Sequence, residues 1–403
     1  MSMTTNTDNF FQTDATHAKN ARRDAKSTNQ FGNPIKLKSK ILALVADPSS
    51  PFGSVFVAES ASKVRRVNLE TGAVSKSYSG PTAPVTCLAA TKNVVAAGSW
   101  DKAIYQWDIA TAERIGAPLL GHSDFVKALL WTKLDGIDVL ISGGADKKII
   151  VWDATAGRQL YTVQDPAVAM GSVQHLALDP VLSTPSAAVI VSAGSDPHIR
   201  RWKLSLSSHE KLPEKFADAG ARTAEERLTI REHETGVYRV AFAADDEADL
   251  WTASADGTAK CLVRARHFTT DDVINHGDHV RAVLVTDEWV VTAGRDEDVK
   301  IWDKASGKLA YALYGHYDEV TDLLLVTDPR DLSQKVCSVS IDGTVRLWPL
   351  KRKELAGLVE EMIKEQKRQE GGEEKEKEEE KEGDGLLTAE EEAELAALME
   401  DDD

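Results

Sequence analysis

The sequence has little that would support the commoner kinds of chemistry. Its three cysteines, Cys87, Cys261 and Cys337, lie far apart with no Cys-x-x-Cys spacing. Reduced thiols inside strands are therefore expected, in place of a disulfide framework or a zinc site. No stretch approaches the ~18 consecutive apolar residues that span a bilayer. Residues 1–20 hold two aspartates and no continuous apolar run, which argues against a secretory signal. An intracellular location follows as an expectation, and "ARRDAK" and "KRK" are too short to decide between nucleus and cytoplasm. Phosphate-binding glycine loops, HExxH, GxSxG and kinase-type sets are also missing. His175 and His209 have no neighbours at metal-ligand spacing. No cofactor, no metal and no catalytic activity are expected.

An excess of basic charge is lacking too. Residues 351–403 carry 9 Lys/Arg against 21 Asp/Glu, so −12 of the net −17 sits in that tail and −5 in the preceding 350 residues. A near-neutral body with an acidic tail exerts no overall pull on nucleic acid or anionic lipid, and binding to neither is expected.

What the sequence does contain is a repeat. The stretch "SGGADKKIIVWDATAG" (142–157) recurs as "AGSWDKAIYQWDIATA" (97–112), "SAGSDPHIRRWKLS" (192–205), "TASADGTAKCLVRA" (252–265), "TAGRDEDVKIWDKASG" (292–307) and "SVSIDGTVRLWPL" (338–350), with a decayed copy at 57–72. Full copies place Asp six residues before Trp: Asp101–Trp107, Asp146–Trp152, Asp196–Trp202, Asp296–Trp302 and Asp342–Trp348. Leu262 and Val67 stand at the Trp position in the other two. The seven anchors are 40, 45, 50, 60, 40 and 46 residues apart. Upstream, a histidine precedes a valine by four residues at His122, His233, His276 and His316, twice as Gly-His. Segments such as "KIIVWD" and "DVKIWD" alternate apolar and other residues as strands do, and the Asp-containing turns before them are hairpin signals.

This pattern resembles the WD40 repeat family, whose repeats form the four-stranded blades of a β-propeller. The resemblance covers roughly residues 35–350 and implies an all-β, seven-bladed ring, with the propeller domain expected over 33–350. It also implies that His122, Ser142, Asp146 and Trp152 converge as a structural set, repeated by His276, Thr292, Asp296 and Trp302 and by His316, Ser338, Asp342 and Trp348. Such a chain of indole, hydroxyl, imidazole and carboxylate satisfies its own buried polar atoms, so these residues read as structural. Blades 1 and 2, with Val57, Ala61, Val67, Ala97 and Pro81 at the matching places, should rely more on apolar packing. No outer strand follows Trp348. Residues 33–40, "NPIKLKSK", are the expected donor that closes the ring and removes its exposed edges.

Outside the ring, residues 1–32 read as disordered. Residues 203–230 read as an insert that lengthens the connection between the third and outer strands of blade 4, on the face away from the Gly-His loops. Residues 351–370 place Leu355, Leu358, Val359, Met362 and Ile363 on one stripe of an amphipathic helix. Residues 371–385 read as an extended charged linker. Residues 386–403 read as a short acidic helix, with Thr388 and Glu391 at capping-box spacing.

Function in such a ring belongs to its loops. The expected binding patch is Trp100, Phe125, Arg295, Tyr317 and Ile341 around the central opening, because exposed Trp, Tyr and Arg most often carry binding energy. Asp124, Asp278 and Asp318 read as braces of their turns. The favoured reading is a non-enzymatic, monomeric scaffold that joins proteins in a multiprotein complex. The alternative is a substrate receptor that reads peptides or phosphopeptides in a ubiquitin-ligase or chromatin-associated complex. Against it, the arginine that some family members carry two residues after Trp-Asp is replaced here by Ala110, Thr155 and Ala305.

Overall fold

The computed structural model describes residue 23 and residues 26–50, 53–216, 225–328 and 331–383, with side chains to 368 except at 75, 76, 216, 225 and 226. Its strands form seven four-stranded antiparallel sheets and one two-stranded sheet. The innermost strands of blades 1 to 7 are Ile41–Ala46, Val85–Ala90, Val126–Leu134, Val173–Leu178, Val237–Phe242, Val280–Val285 and Val320–Thr327. In blades 1 to 6 the next three strands in sequence complete the sheet. In blade 7 the fourth strand is Ile35–Lys36, which pairs antiparallel with Val345 and Thr344. The expected donor therefore closes the ring.

Second strands are buried on both faces because a neighbouring blade covers each. Ser54–Glu59, Ala188–Gly194 and Trp289–Gly294 are buried throughout, so they read as continuous small and apolar runs instead of alternating. The core is a series of inter-blade layers. Ile41, Val55, Val57 and Val67 of blade 1 pack with Cys337, Val339 and Val345 of blade 7, joining the ends of the ring. All three cysteines are free and buried.

Three expectations outside the blades change. The insert of blade 4 does not lengthen the link between third and outer strands, Arg200–Leu204 and His209–Lys211, which is short. It interrupts the outer strand itself. Leu204, Lys203 and Trp202 pair with His209, Glu210 and Lys211, and pairing resumes only at Ile199–Ile230. Between them, Glu214–Phe216 and Glu225–Arg227 form a hairpin, whose intervening residues lie outside the described set. The Arg201 guanidinium fixes it, bonding buried Glu214 at 2.9 Å and lying 4.6 Å from the centre of the Phe268 ring. Of the segment expected to be disordered, residues 26–32 lie against blades 6 and 7. Lys26 pairs with Glu297 and Asp298, and Asn29 donates to the Gly315 carbonyl. Most earlier residues lie outside the described set.

Finally, helix α1, Arg352–Gly383, runs through most of the expected linker. Glu and Lys are strong helix formers, and that propensity outweighs the tendency of like charges to extend the chain. The chain divides into two compact units after Leu355. In the first, Leu355 is buried, and Arg352 covers the Trp289 ring at 4.5 Å and pairs with Asp303 and Glu288. The second begins with the rest of α1. Residues 386–403 lie outside the described set.

Candidate functional site

The expected polar sets form in blades 3, 6 and 7. In blade 7 the Trp348 indole N–H donates to Ser338 Oγ at 2.8 Å, His316 Nε2 lies 2.7 Å from that oxygen, and His316 Nδ1 lies 2.9 Å from Asp342. Blade 3 repeats this with Trp152, Ser142, His122 and Asp146 at 2.8, 2.7 and 2.9 Å. In blade 6, Trp302 donates to Thr292 at 2.7 Å, and His276 bridges Thr292 and Asp296 at 2.8 and 3.0 Å. A neutral imidazole fits: the hydroxyl donates to one ring nitrogen and the other N–H donates to the carboxylate. Burial pushes the His316 pKa below its ordinary value despite Asp342 beside it. Burial opposes ionisation of Asp296, but bonds from His276 and Lys300 outweigh it and hold the carboxyl down at about 2. The Gly-His pair has a steric cause: a Cβ on Gly121 would lie 2.7 Å from Trp152, and one on Gly315 would lie 2.6 Å from Trp348.

The other blades show how the set can be replaced. Blade 5 keeps His233, Thr252 and Asp256, with 2.7 and 2.8 Å bonds, and fills the tryptophan position with buried Leu262. In blade 4 Trp202 still donates to Ser192, while buried Arg200 takes the place of histidine and binds Asp196 and Asp165. In blade 2, where Ala97 removes the hydroxyl, the Trp107 N–H turns to the Ser79 carbonyl at 3.1 Å. Blade 1 holds buried Val57 and Val67. Asp124, Asp278 and Asp318 each accept the N–H of the next residue, at 2.8, 2.7 and 2.9 Å, as turn braces.

The five expected contact residues divide into two groups. Trp100 of blade 2 stacks on Phe125 of blade 3, with ring centres 4.9 Å apart, yet stays 41% exposed. Trp100 also lines the central cavity, of about 480 Å³. Arg295 is exposed on blade 6, and Ile341 is half-buried on blade 7. Tyr317 is held in place: its hydroxyl donates to the Asp342 carbonyl at 3.0 Å, and its own carbonyl accepts from Arg23.

The cavity brings together residues that the repeat pattern did not single out. Each innermost strand has a bulge one residue after its first, at Val85/Cys87, Val126/Ala128 and Val280/Ala282 for example. The bulged residue of every blade lines the channel: Leu42, Thr86 and Thr321 on one arc, and Lys127, Gln174, Tyr238 and Arg281 on the other. Arg239, the next residue on blade 5, reaches Asp322 of blade 7 at 2.9 Å. Asp322 in turn accepts the Leu44 N–H of blade 1 at 3.1 Å. Burial raises the Asp322 pKa even with Arg239 opposing it, and burial together with Arg239 drives His175 well below its usual value. Arg281 lies 4.4 Å from the centre of the Tyr238 ring and pairs with Glu319 at 2.8 Å. Among the described residues no cluster of metal-ligating side chains occurs.

Residues 72–108, 270–303 and 307–349 match the family described as WD domain, G-beta repeat. Residues 115–215 match the tRNA methyltransferase TRM82 WD40 domain. A WD repeat-containing protein of Schizosaccharomyces pombe is 29% identical over 361 residues, covering 86% of this chain and 90% of its own length. A p21-activated protein kinase-interacting protein 1-like of Xenopus laevis is 26% identical over 66% of this chain and 64% of its own. A nuclear distribution protein PAC1 of Arthroderma otae is 25% identical over 64% of this chain, which spans only 47% of that relative. The ring, its recurring polar sets and these similarities agree: the chain is a seven-bladed β-propeller built from WD40 repeats.

Proposed function

We propose that the chain is a non-enzymatic intracellular adaptor that binds partner proteins on the face bearing the histidine turns, with the Trp100–Phe125 stack at its centre. The observation that carries this reading is the exposure of Trp100. The tryptophans of the polar sets, Trp152, Trp202, Trp302 and Trp348, are at most 7% exposed, whereas Trp100 keeps 41% of its surface in solvent beside the channel mouth. Its stack on Phe125 fixes both rings before any partner arrives, so little side-chain entropy remains to be lost on binding. The C-terminal segment supplies a second contact, which raises affinity through effective concentration. The polar sets that look like catalytic groups are used up in bonding one another. The match to a tRNA methyltransferase WD40 domain supports including an enzyme of that class among the partners to be tested, and the name of the Xenopus laevis relative supports a protein-binding role.

The test is affinity capture from cells expressing the chain, comparing wild type with Trp100→Ala and with a deletion of residues 384–403. Trp100→Ala should lose partners while its unfolding temperature stays within a few degrees of wild type. Retention of every partner by both variants would refute the reading.

A further inference from the structure

We propose that the mouth of the central channel holds a seat for an anionic side chain on a bound peptide, built by Lys127 and Arg281 with the amide of Gln174. This deepens the adaptor reading and rests on it.

The seat follows from the bulges. By placing one side chain per blade in the channel, they set Lys127 of blade 3, Gln174 of blade 4 and Arg281 of blade 6 on the same wall as the Tyr238 ring. The three channel cations are not equally neutralised. Arg239 is matched by Asp322, and Arg281 uses its Nε on Glu319. Lys127 has no carboxylate within ion-pair distance among the described residues, and it donates only a long hydrogen bond of 3.5 Å to the side-chain Oε1 of Gln174. Burial and the nearby Arg281 charge both depress its pKa, against a weaker opposing pull from Asp124. An ammonium held in a narrow channel beside a second cation is a cost to the empty protein, and an anion relieves it. Arg281 meets Glu319 most closely through Nε, and its Nη nitrogens can fork onto the same anion.

The occupant is defined by what surrounds the seat. The cavity is large enough to admit a side chain with its waters. The Trp100–Phe125 stack stands at the same mouth and offers an apolar platform for a neighbouring residue of the peptide. An extended peptide crossing the opening, with a phosphorylated or acidic side chain directed inward, uses all of these features.

The probe is an immobilised library of peptides centred on phosphothreonine, with threonine and glutamate counterparts, presented to the full chain. Wild type should retain the phosphorylated set, Lys127→Ala should retain about tenfold less, and Lys127→Arg should restore most of it. Exposed Lys92→Ala serves as a control and should bind like wild type. Equal retention of the glutamate set, lost in Lys127→Ala, supports the same seat with a carboxylate as the anion. Phosphate at constant ionic strength should raise the unfolding temperature of wild type but not of Lys127→Ala, a readout that also reports whether the variant folds. Equal retention of the threonine set overturns the seat, as does undiminished binding by Lys127→Ala or binding of single-stranded RNA with no peptide. If Trp100→Ala loses its partners while Lys127→Ala keeps them all, the adaptor face stands and the anion seat fails.

Discussion

Ser338→Ala tests the structural reading of the polar sets most directly. One oxygen serves two buried partners, the Trp348 N–H at 2.8 Å and His316 Nε2 at 2.7 Å, and Ser338, Trp348 and His316 are all fully buried. Removing it leaves two polar groups unpaired in a space too small for water, and each such group costs about 1–3 kcal/mol. The expected loss is about 3 kcal/mol, a fall of about 4–5 °C in unfolding temperature for a ring of this size. Urea unfolding followed by circular dichroism measures it, with the midpoint moving and the slope unchanged. Blade 2 supplies the comparison, because Trp107 already bonds the Ser79 carbonyl. Ala97→Ser therefore offers the indole nothing new and should not stabilise the protein. A loss below about 0.5 kcal/mol in Ser338→Ala would refute the claim that these sets hold the blades together.

Gly121→Ala should cost about 1–3 kcal/mol, since its Cβ would displace the Trp152 ring from Ser142. Gly357→Ala, with open space around it, should be neutral or slightly stabilising; equal midpoints for the two variants would contradict the steric account. Stability should fall with acid in two stages. His175 and His316 have folded pKa values below their ordinary ones, so the unfolded chain binds more protons as pH drops below about 6.5. Asp146, Asp256, Asp296 and Asp342, all depressed, add further loss below about pH 4, and Asp296 alone contributes roughly 2 kcal/mol. Asp322, raised by burial, works in the opposite direction. A flat unfolding temperature between pH 7 and pH 3 would refute this linkage. Deleting residues 1–36 should expose the strand edge at Thr344–Val345 and strip buried Arg346 of Asn29 and the Phe31 carbonyl. The expected result is a loss of about 3 kcal/mol or more and concentration-dependent association, read by light scattering. A monomer with an unchanged midpoint would count against strand closure.

The ring was legible because its signals are local. The six-residue step from Asp146 to Trp152, and its recurrence, follow from one hairpin. Closure by residues 33–40 followed from a missing fourth strand after Trp348. Two features were hidden for identifiable reasons. Lys127 and Arg281 lie on different blades, and each sits at a bulge where strict in-out alternation slips by one residue. The residue after each repeat valine was the signal that would have located them. The outer strand of blade 4 was misplaced because "HEK" is three polar residues with no alternation, followed by a hairpin that outer strands of the other blades lack. Trp100 and Phe125 were identified separately, but their stack depends on adjacent blades and on no spacing within either.

Closure by Ile35–Lys36 also has a consequence in time. The two strands that meet in blade 7 are separated by some three hundred residues. At a ribosome rate of about 5–20 residues per second, the early strand waits tens of seconds for its partner to emerge. During that interval the nascent chain is an unfinished arc with bare hydrogen-bonding groups at both ends, and a chaperone would have the most to protect then. A circularly permuted gene that moved the seam into a loop between two other blades would change which edges wait, while leaving the finished wheel the same.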